Sequence, residues 1–268
     1  MNKTDSSVQA NESILRRRWR KFKTLKRGYY SLVILSCLYG ISFFLPFLIN
    51  NRALVVKYHG EYYFPVLSGY TPGKQFGQDV PGDTRYRKLK VQFKEQNEED
   101  SWVWMPPYPY SPYEDITFEG NKPYEPPSRT HWLGTDNTGR DVFARLCYAF
   151  NISISFALLL TIINYIIGVL VGGTMGYYGG KFDLFFQRLI EIWSSLPMLF
   201  VIIILSSILK PSFLLLISIY TLVNWISMTY LMRAEFYREK AKAYVAAALS
   251  MGQSEFKVMF KHILPNSL

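Results

Sequence analysis

The most chemically informative pattern lies late in the chain, in Tyr244–Pro265 (YVAAALSMGQSEFKVMFKHILP). Tyr244 to Met251 favour a short helix, Gly252 permits a turn, Ser254 can cap a second helix, and Pro265 terminates or bends it. The small side chains of Ala246, Ala247 and Ala248 leave room for another backbone, so the stretch predicts a helical elbow suited to a partner's groove. On composition alone it equally suits a helix lying on a membrane surface. A second dense pattern joins His131, Leu133, Gly134, Thr135 and Asp136 to Gly139, Arg140, Asp141, Val142 and Arg145. There Asp136 and Thr138 can begin and cap a helix while Arg140 and Asp141 anchor it to neighbouring loops; capping with exposed charges is the simpler reading.

Neither pattern is catalytic. No GxxxxGK[ST] phosphate loop occurs, since Gly69–Lys74 (GYTPGK) has one intervening residue too few and lacks the hydroxyl that would follow. Cys37 and Cys147 are too far apart in sequence to suggest a disulfide framework, and His59, His131 and His262 are too scattered to suggest a metal site. Glu191, near a helix start, suits the inner interface or a helix neighbour better than a proton path. No catalytic residue and no metal ligand is assigned.

The elements that must position these patterns follow from hydropathy. Hydrophobic residues make up 49% of the chain while mean hydropathy is only +0.04, so the apolar residues have to be concentrated in blocks. Charge is absent from Gly28 to Asn51, from Leu146 to Gly180, between Glu191 and Lys210, and from Pro211 to Met232. Each block is near or above the roughly 18 to 20 residues that cross a bilayer. The expected fold is therefore an all-α polytopic membrane protein with four spans: 28–50, about 153–173, about 189–209 with a bend at Pro197, and about 213–232. Asp141 to Asn151 is expected to form an amphipathic approach to the second span, and Tyr177 to Asp183 a short inner loop. The first block is too long for a secretory signal peptide.

The formal net charge of +10 would suggest nucleic acid in a soluble domain, but its placement points to membrane orientation. Arg16, Arg17, Arg18, Arg20, Lys21, Lys23, Lys26 and Arg27 crowd the entrance to the first span, and Arg233, Arg238, Lys240 and Lys242 follow the fourth. Both clusters fall on the cytoplasmic side if the basic segment 1–27 lies inside, which an odd number of spans would forbid. Contact of the first cluster with membrane lipid is compatible with that role. Residues 51–130 then form an extracytoplasmic insert, with one or two strands in Leu54–Val66 around a turn at His59 and Gly60. Beyond Gly69, Pro and Gly recur too often for long regular elements; Lys94–Asp100 reads as a solvated loop, and Trp102–Tyr113 as an aromatic surface. Gly168, Gly172 and Gly176 share one helical face that permits close approach of a neighbouring helix. Asn164, Asn224 and Trp225 suit either a passage lining or interhelical bonding.

Tyr244–Pro265 resembles the coupling signature of ABC importer permeases, with Ala247, Ala248, Gly252, Leu264 and Pro265 on the shared positions and Ala246 where the family commonly has glutamate. The segment from His131 to Arg145 resembles the HxLGTDxxGRDVxxR motif of one permease of dipeptide, oligopeptide and nickel importers; Ala149 and Asn151 depart from the Gly and Arg common there. GYYSL at Gly28, YFP at Tyr63, NKPYEPPSR at Asn121, GYYGGKFDL at Gly176 and MRAEF at Met232 make the chain most similar to the microcin C branch, with its long periplasmic insert.

That resemblance implies a permease subunit in a bacterial inner membrane, importing peptides or peptide conjugates. It implies Tyr244, Ala247, Ala248, Gly252, Leu264 and Pro265 as the coupling residues, and Gly134, Thr135, Asp136, Gly139, Arg140 and Asp141 as the signature before the second span. The implied partners are a second permease subunit, ABC ATPase subunits that carry the ATP and Mg, and a periplasmic peptide-binding protein; no nucleic acid is implied. Dipeptides, oligopeptides or nickel chelates are alternative cargoes, and a membrane scaffold without transport is the alternative role. Relatives have about six helices, with about two following the Leu-Pro element, so the resemblance implies an incomplete permease core over 131–268.

Overall fold

In a computed structural model, residues 14–79, 82–96, 100–116, 124–210 and 212–267 are described, and the chain divides into two units at Ser153/Ile154. The beginning of the basic segment 1–27, the centre of the Lys94–Asp100 cluster, the first residues of NKPYEPPSR and Pro211 of the expected outer turn lie outside the described residues.

The first unit begins with helix α1 (Ile14–Thr24), interrupted at Leu25 (φ −82°, ψ 75°), and helix α2 (Lys26–Ser42). Leu32, Ile34, Leu35 and Leu38 of α2 are all exposed. With 17 residues α2 is about 25 Å long, short of the roughly 30 Å hydrocarbon core. The expected first span over 28–50 is thus broken at Phe43 and Phe44 and resumes as a single turn, Leu45–Leu48.

The insert contains strands β1 (Val55–Tyr58), β2 (Glu61–Tyr63) and β3 (Trp102–Trp104), arranged β2-β1-β3 with both pairings antiparallel. Val56 is opposite Tyr63 on one side and Val103 on the other. His59 (φ 49°) and Gly60 (φ 85°) form the two-residue turn, whose left-handed backbone matches the twist of a hairpin. Helix α3 (Tyr86–Glu95) overturns the expectation of no long element beyond Gly69. Its run is free of Pro and Gly, and Tyr86, Leu89 and Phe93, spaced by three and four, bury one face against Val56, Phe76 and Val103.

Helix α4 (Val142–Tyr178) begins in the first unit and continues into the second. It replaces the expected interfacial approach over Asp141–Asn151, because no residue interrupts helix between the Asp141 cap and Gly179. The inner loop expected over Tyr177–Asp183 is reduced to a turn at Gly179 and Gly180, both with positive φ (64° and 55°). Helices α5 (Gly180–Ser194) and α6 (Met198–Ile208) then meet at 67° across Ser195–Pro197, so the third span starts earlier than expected and bends where Pro197 interrupts the ladder. Ser212 caps helix α7 (Phe213–Lys240), its Oγ accepting the Leu215 N–H at 3.2 Å. Among the described residues, α4 and α7 are each long and apolar enough to cross a membrane, and the bent α5–α6 pair makes a third span if taken as one.

Within the second unit, α4 and α7 run parallel in close contact. A Cβ added to Gly168 would lie 2.5 Å from Met228 Cγ; at Gly172, 2.2 Å from the Thr229 carbonyl oxygen; at Gly176, 2.4 Å from the Arg233 carbonyl oxygen. Three glycines four residues apart thus remove the side chains that would hold the two backbones apart.

Candidate functional site

The elbow after α7 is built on the end of that helix. Lys242 is extended (φ −81°, ψ 148°) and its N–H donates to the Glu239 carbonyl, turning the chain into helix α8 (Ala243–Ser250). Gly252 (φ 77°) ends α8, with its own N–H on the Leu249 carbonyl and that of Gln253 on the Ala248 carbonyl. This left-handed position favours glycine because it carries no Cβ. A final helical stretch follows: Glu255–Lys257, a π-wound segment Val258–Ile263, and Leu264–Ser267.

Of the two expectations for Pro265, termination is not met: Leu264–Ser267 continues the stretch through it. The wider π winding before it relieves the clash between a proline ring and the preceding turn's carbonyl. Ser254 sits at the cap position without a side-chain cap bond.

Two kinds of contact fix the elbow. Val245, Ala248, Val258, Met259 and Ile263 are buried in one apolar cluster with Tyr177, Met232 and Phe236. The polar contact centres on Glu239, 1% exposed, whose Oε2 accepts the Tyr244 hydroxyl at 2.8 Å and whose Oε1 lies 2.5 Å from Lys242 Nζ. Burial first, and the bond to Glu239 second, push the Tyr244 hydroxyl up to about 12. His262 Nε2 lies 2.6 Å from Gln253 Oε1, tying the final stretch back to the turn. Nearby, Asp183 receives both Arg233 Nε and a second Arg233 nitrogen at 2.6 Å, and Gln187 Nε2 at 2.8 Å.

The elbow residues therefore separate by environment. Tyr244 and Ala248 face the chain's own core, Leu264 is half-buried beside it, and Ala247, Gly252 and Pro265 are exposed. Ala248 does not leave room for a partner, as expected of it; its methyl fills the apolar cluster. Ala246 and Ala247 are exposed, as are Leu249, Met251 and Phe256, the last two more than 70%. Sequence reasoning missed Glu239 because Arg238, Lys240 and Lys242 make the segment read as purely basic. The available signal was the spacing of Glu239 from Lys242 and Tyr244, three and five residues on.

The second group forms the outer cap of α4 in the first unit. Asp141, fully buried, is the true helix cap: its Oδ1 accepts the Ala144 N–H at 2.7 Å. Its Oδ2 accepts the Tyr108 hydroxyl at 2.6 Å and lies 2.8 Å from His131 Nδ1. Burial and the bond to Asp141 push the Tyr108 hydroxyl well above the usual tyrosine range.

Asp136 closes a loop instead of capping the helix. Its Oδ1 accepts the N–H groups of Thr138 and Arg140, both at 2.9 Å, and its Oδ2 pairs with Arg140 Nε and with Arg145. Burial alone would raise its carboxyl, but these donors together hold it well below the usual carboxylate range. Gly134 (φ 72°) packs where a Cβ would be 2.4 Å from the Glu125 carbonyl oxygen, and Gly139 (φ 70°) completes the turn. Thr135 Oγ1 accepts the Glu125 N–H at 2.7 Å. Asp141 and His131, 0% and 2% exposed, lie at the buried centre of the arrangement, while Arg140 and Arg145 remain partly exposed around Asp136.

Among the described residues, no group of three His, Cys, Asp or Glu side chains is placed to hold a metal ion. Asn164 is buried with its Oδ1 unpartnered, whereas the Asn224 and Trp225 side chains donate to carbonyls of their own helix, those of Tyr220 and Leu222.

Residues 166–268 match the family described as binding-protein-dependent transport system inner membrane component. The inner membrane ABC transporter permease protein YejE of Escherichia coli K12 is 41% identical over 252 residues, covering 94% of this chain and 73% of that protein. The peptidoglycan transport system permease protein YejE of Agrobacterium fabrum is 35% identical over 280 residues, covering 94% and 72%. The dipeptide transport system permease protein DppC of Bacillus subtilis is 37% identical over 143 residues, 53% of this chain and 45% of that protein. The match to the family description, its coverage of both the elbow and the glycine-packed helix pair, and the extent of the first two relatives agree: the chain belongs to the binding-protein-dependent transport system inner membrane components, the permease subunits of ABC transporters.

Proposed function

We propose that this chain is a permease subunit for peptides or peptide-like compounds, peptidoglycan fragments and microcin C-like conjugates included, and that its elbow receives the motion of a partner ATPase. The relatives named for dipeptide and peptidoglycan transport motivate the cargo class. In this reading ATP and Mg bind on ATPase partners, a second permease subunit completes the pathway, and a periplasmic binding protein delivers the cargo. The N-terminus lies in the cytoplasm and α2, extended by the turn Leu45–Leu48, is a further span, since Lys26, Arg27 and the cations of α1 precede the uncharged run. The proposed arrangement puts the insert and the Asp141 cap outside and the elbow inside.

The observation that carries the coupling role is the asymmetry of α8. Its inner face is fixed to α7 by Glu239, Tyr244 and the apolar cluster, while Ala246, Ala247, Leu249 and Met251, and Phe256 after the Gly252 turn, leave apolar side chains exposed. In this reading the exposed apolar side chains bury against the ATPase, and their rigid mounting passes its displacement to the helix. Gly252→Val tests the role. A β-branched residue at φ 77° costs about 1–3 kcal/mol of backbone strain, while a Cβ there meets nothing within 4 Å, so the change reshapes the turn without a clash. In the assembled transporter, the variant is expected to insert normally and retain basal ATP hydrolysis while uptake of a toxic peptide falls. Unchanged uptake refutes the coupling role.

A further inference from the structure

We propose that α1 is a lipid-headgroup clamp, lying along the membrane interface with its basic side against anionic phospholipid and thereby fixing the depth of α2. The inference rests on α2 crossing the membrane, as proposed above, and adds a partner for a segment that reading leaves without a structural role.

Between Arg16 and Arg27, Arg16, Arg17, Arg18, Arg20, Lys21, Lys23, Lys26 and Arg27 alternate with only four uncharged residues and no acid. Helical spacing sorts them: Arg16, Arg17, Arg20 and Lys21 fall on one side and Trp19 and Phe22 on the other, with Lys23 at the edge between them, its Nζ 5.8 Å from the centre of the Trp19 ring. Arg16 to Lys21 are all exposed. The Trp19 and Phe22 rings stack at 5.6 Å, Trp19 meets Tyr29 edge-on at 6.5 Å, and Phe22 lies 3.5 Å from where a Gly28 Cβ would stand. The aromatic side is thereby folded against the start of α2, and the basic side faces away from it.

Position selects the partner. The non-helical backbone at Leu25 makes α1 a separate helix, and its last residue is two positions from the first of α2. With the uncharged part of α2 in hydrocarbon, Lys23 and Lys21 lie within a few helical turns of the boundary, at the depth of lipid phosphates. Trp and Tyr at the junction occupy the level where amphipathic rings settle, and the methylene stem of Arg18 can run past them to the headgroups.

The full-length chain in nanodiscs provides the test, with a nitroxide on one cysteine at a time. A label on Cys37, in a Cys147→Ser background, reports whether α2 is in the bilayer. A label on Thr24→Cys, in a Cys37→Ser and Cys147→Ser background, reports α1. In discs containing phosphatidylglycerol, the Thr24 label is expected to collide with an aqueous quencher severalfold less often than in purely zwitterionic discs. About 1 M salt, which shortens the screening length to about 3 Å, should abolish the difference. Replacing Arg17, Arg20, Lys21 and Lys23 by Gln should also abolish it, with Cys37 still buried in every disc. Equal accessibility in both lipids with Cys37 buried overturns the clamp alone. A Cys37 label open to the aqueous quencher overturns the α2 span and the clamp with it. Protection of Thr24 by added RNA or by the ATPase subunits, without any lipid dependence, overturns the clamp in favour of that partner.

Discussion

Replacing Gly172 by alanine should destabilise the second unit although alanine is the better helix former. In an isolated helix the change favours folding by up to about 1 kcal/mol. Here the added methyl carbon would lie 2.2 Å from the Thr229 carbonyl oxygen and 3.0 Å from the Thr229 carbonyl carbon and Cα. That is more than 1 Å inside ordinary contact distance, roughly 3.5 Å, and the obstructing atoms are backbone, so no rotamer change relieves it. Either α7 moves away from α4 along the whole glycine face or the two helices separate locally; overpacking of this kind costs about 1–3 kcal/mol. The expected net loss is therefore about 0–2 kcal/mol once the helix gain is subtracted, and about 1–3 kcal/mol relative to a glycine-to-alanine change without the clash. Gly40, where a Cβ meets nothing within 4 Å, supplies the control: Gly40→Ala keeps the helix gain without the clash. Thermal unfolding in detergent, followed by near-ultraviolet circular dichroism, compares the two variants with the parent. A Gly172→Ala midpoint at or above that of Gly40→Ala refutes the close parallel packing of α4 and α7.

Three further outcomes follow from side chains outside the spans. Tyr244→Phe removes the hydroxyl from Glu239 and should loosen the elbow by about 1–3 kcal/mol, read as faster proteolysis between Glu239 and Gly252. Because the Tyr244 hydroxyl is raised from 10.0 to about 12 in the folded chain, the stability it contributes is complete below pH 10 and disappears as pH rises toward 12. Tyr244→Phe should flatten that alkaline limb; an identical limb in parent and variant refutes the assignment. Asp136 has the opposite sign: its depressed carboxyl stabilises the outer loop above about pH 4, the ordinary range, and that contribution is lost as the solution is made more acidic. Asp136→Asn should weaken the loop at neutral pH and shrink its acid sensitivity, measured by hydrogen exchange of the Thr138 and Arg140 amides. His131→Phe leaves Asp141 with the Tyr108 hydroxyl and the Ala144 N–H only, and should lower the midpoint of unfolding of the insert by several degrees.

What the sequence disclosed and what it withheld divide along a physical line. The glycine face of α4 was legible because spacing by four is a one-dimensional signal, and the partner only had to be another apolar helix. The β1–β2 hairpin was legible for the same reason, with His59 and Gly60 marking its turn. Helix α3 was not, because the Pro and Gly density on either side of residues 86–95 outweighed a short helical stripe whose worth depends on strands far away in sequence. The capping assignment failed at Asp136 because two aspartates five residues apart are equally good caps in isolation. What decides between them is Tyr108 and His131, which bury Asp141 and orient its Oδ2, leaving Oδ1 for the helix. The reach of α4 was underestimated because a span was expected to need only the length of a bilayer, whereas nothing in Val142–Tyr178 stops a helix from continuing beyond it.

The elbow also bears on a family position that this chain does not keep. Ala246 stands where a glutamate is common, and in this structure that position is exposed on α8. A carboxylate there would face outward, toward the surface assigned to the ATPase, and would not bond within the elbow. The carboxylate that holds α8 is Glu239, contributed by α7 and buried beneath Tyr244 and Lys242. Under the proposed coupling role, holding the elbow and meeting the partner fall to different residues of one short helix. Alanine in place of the family glutamate leaves the bonds of Glu239 untouched, and Leu249, Met251 and Phe256 are exposed apolar side chains nearby in sequence. The inner contact stays intact, and through α7 it reaches the glycine face of α4, where the backbones are too close for one helix to slide independently of the other. Under the proposed coupling role, a push on α8 moves α7 and the adjoining part of α4 together.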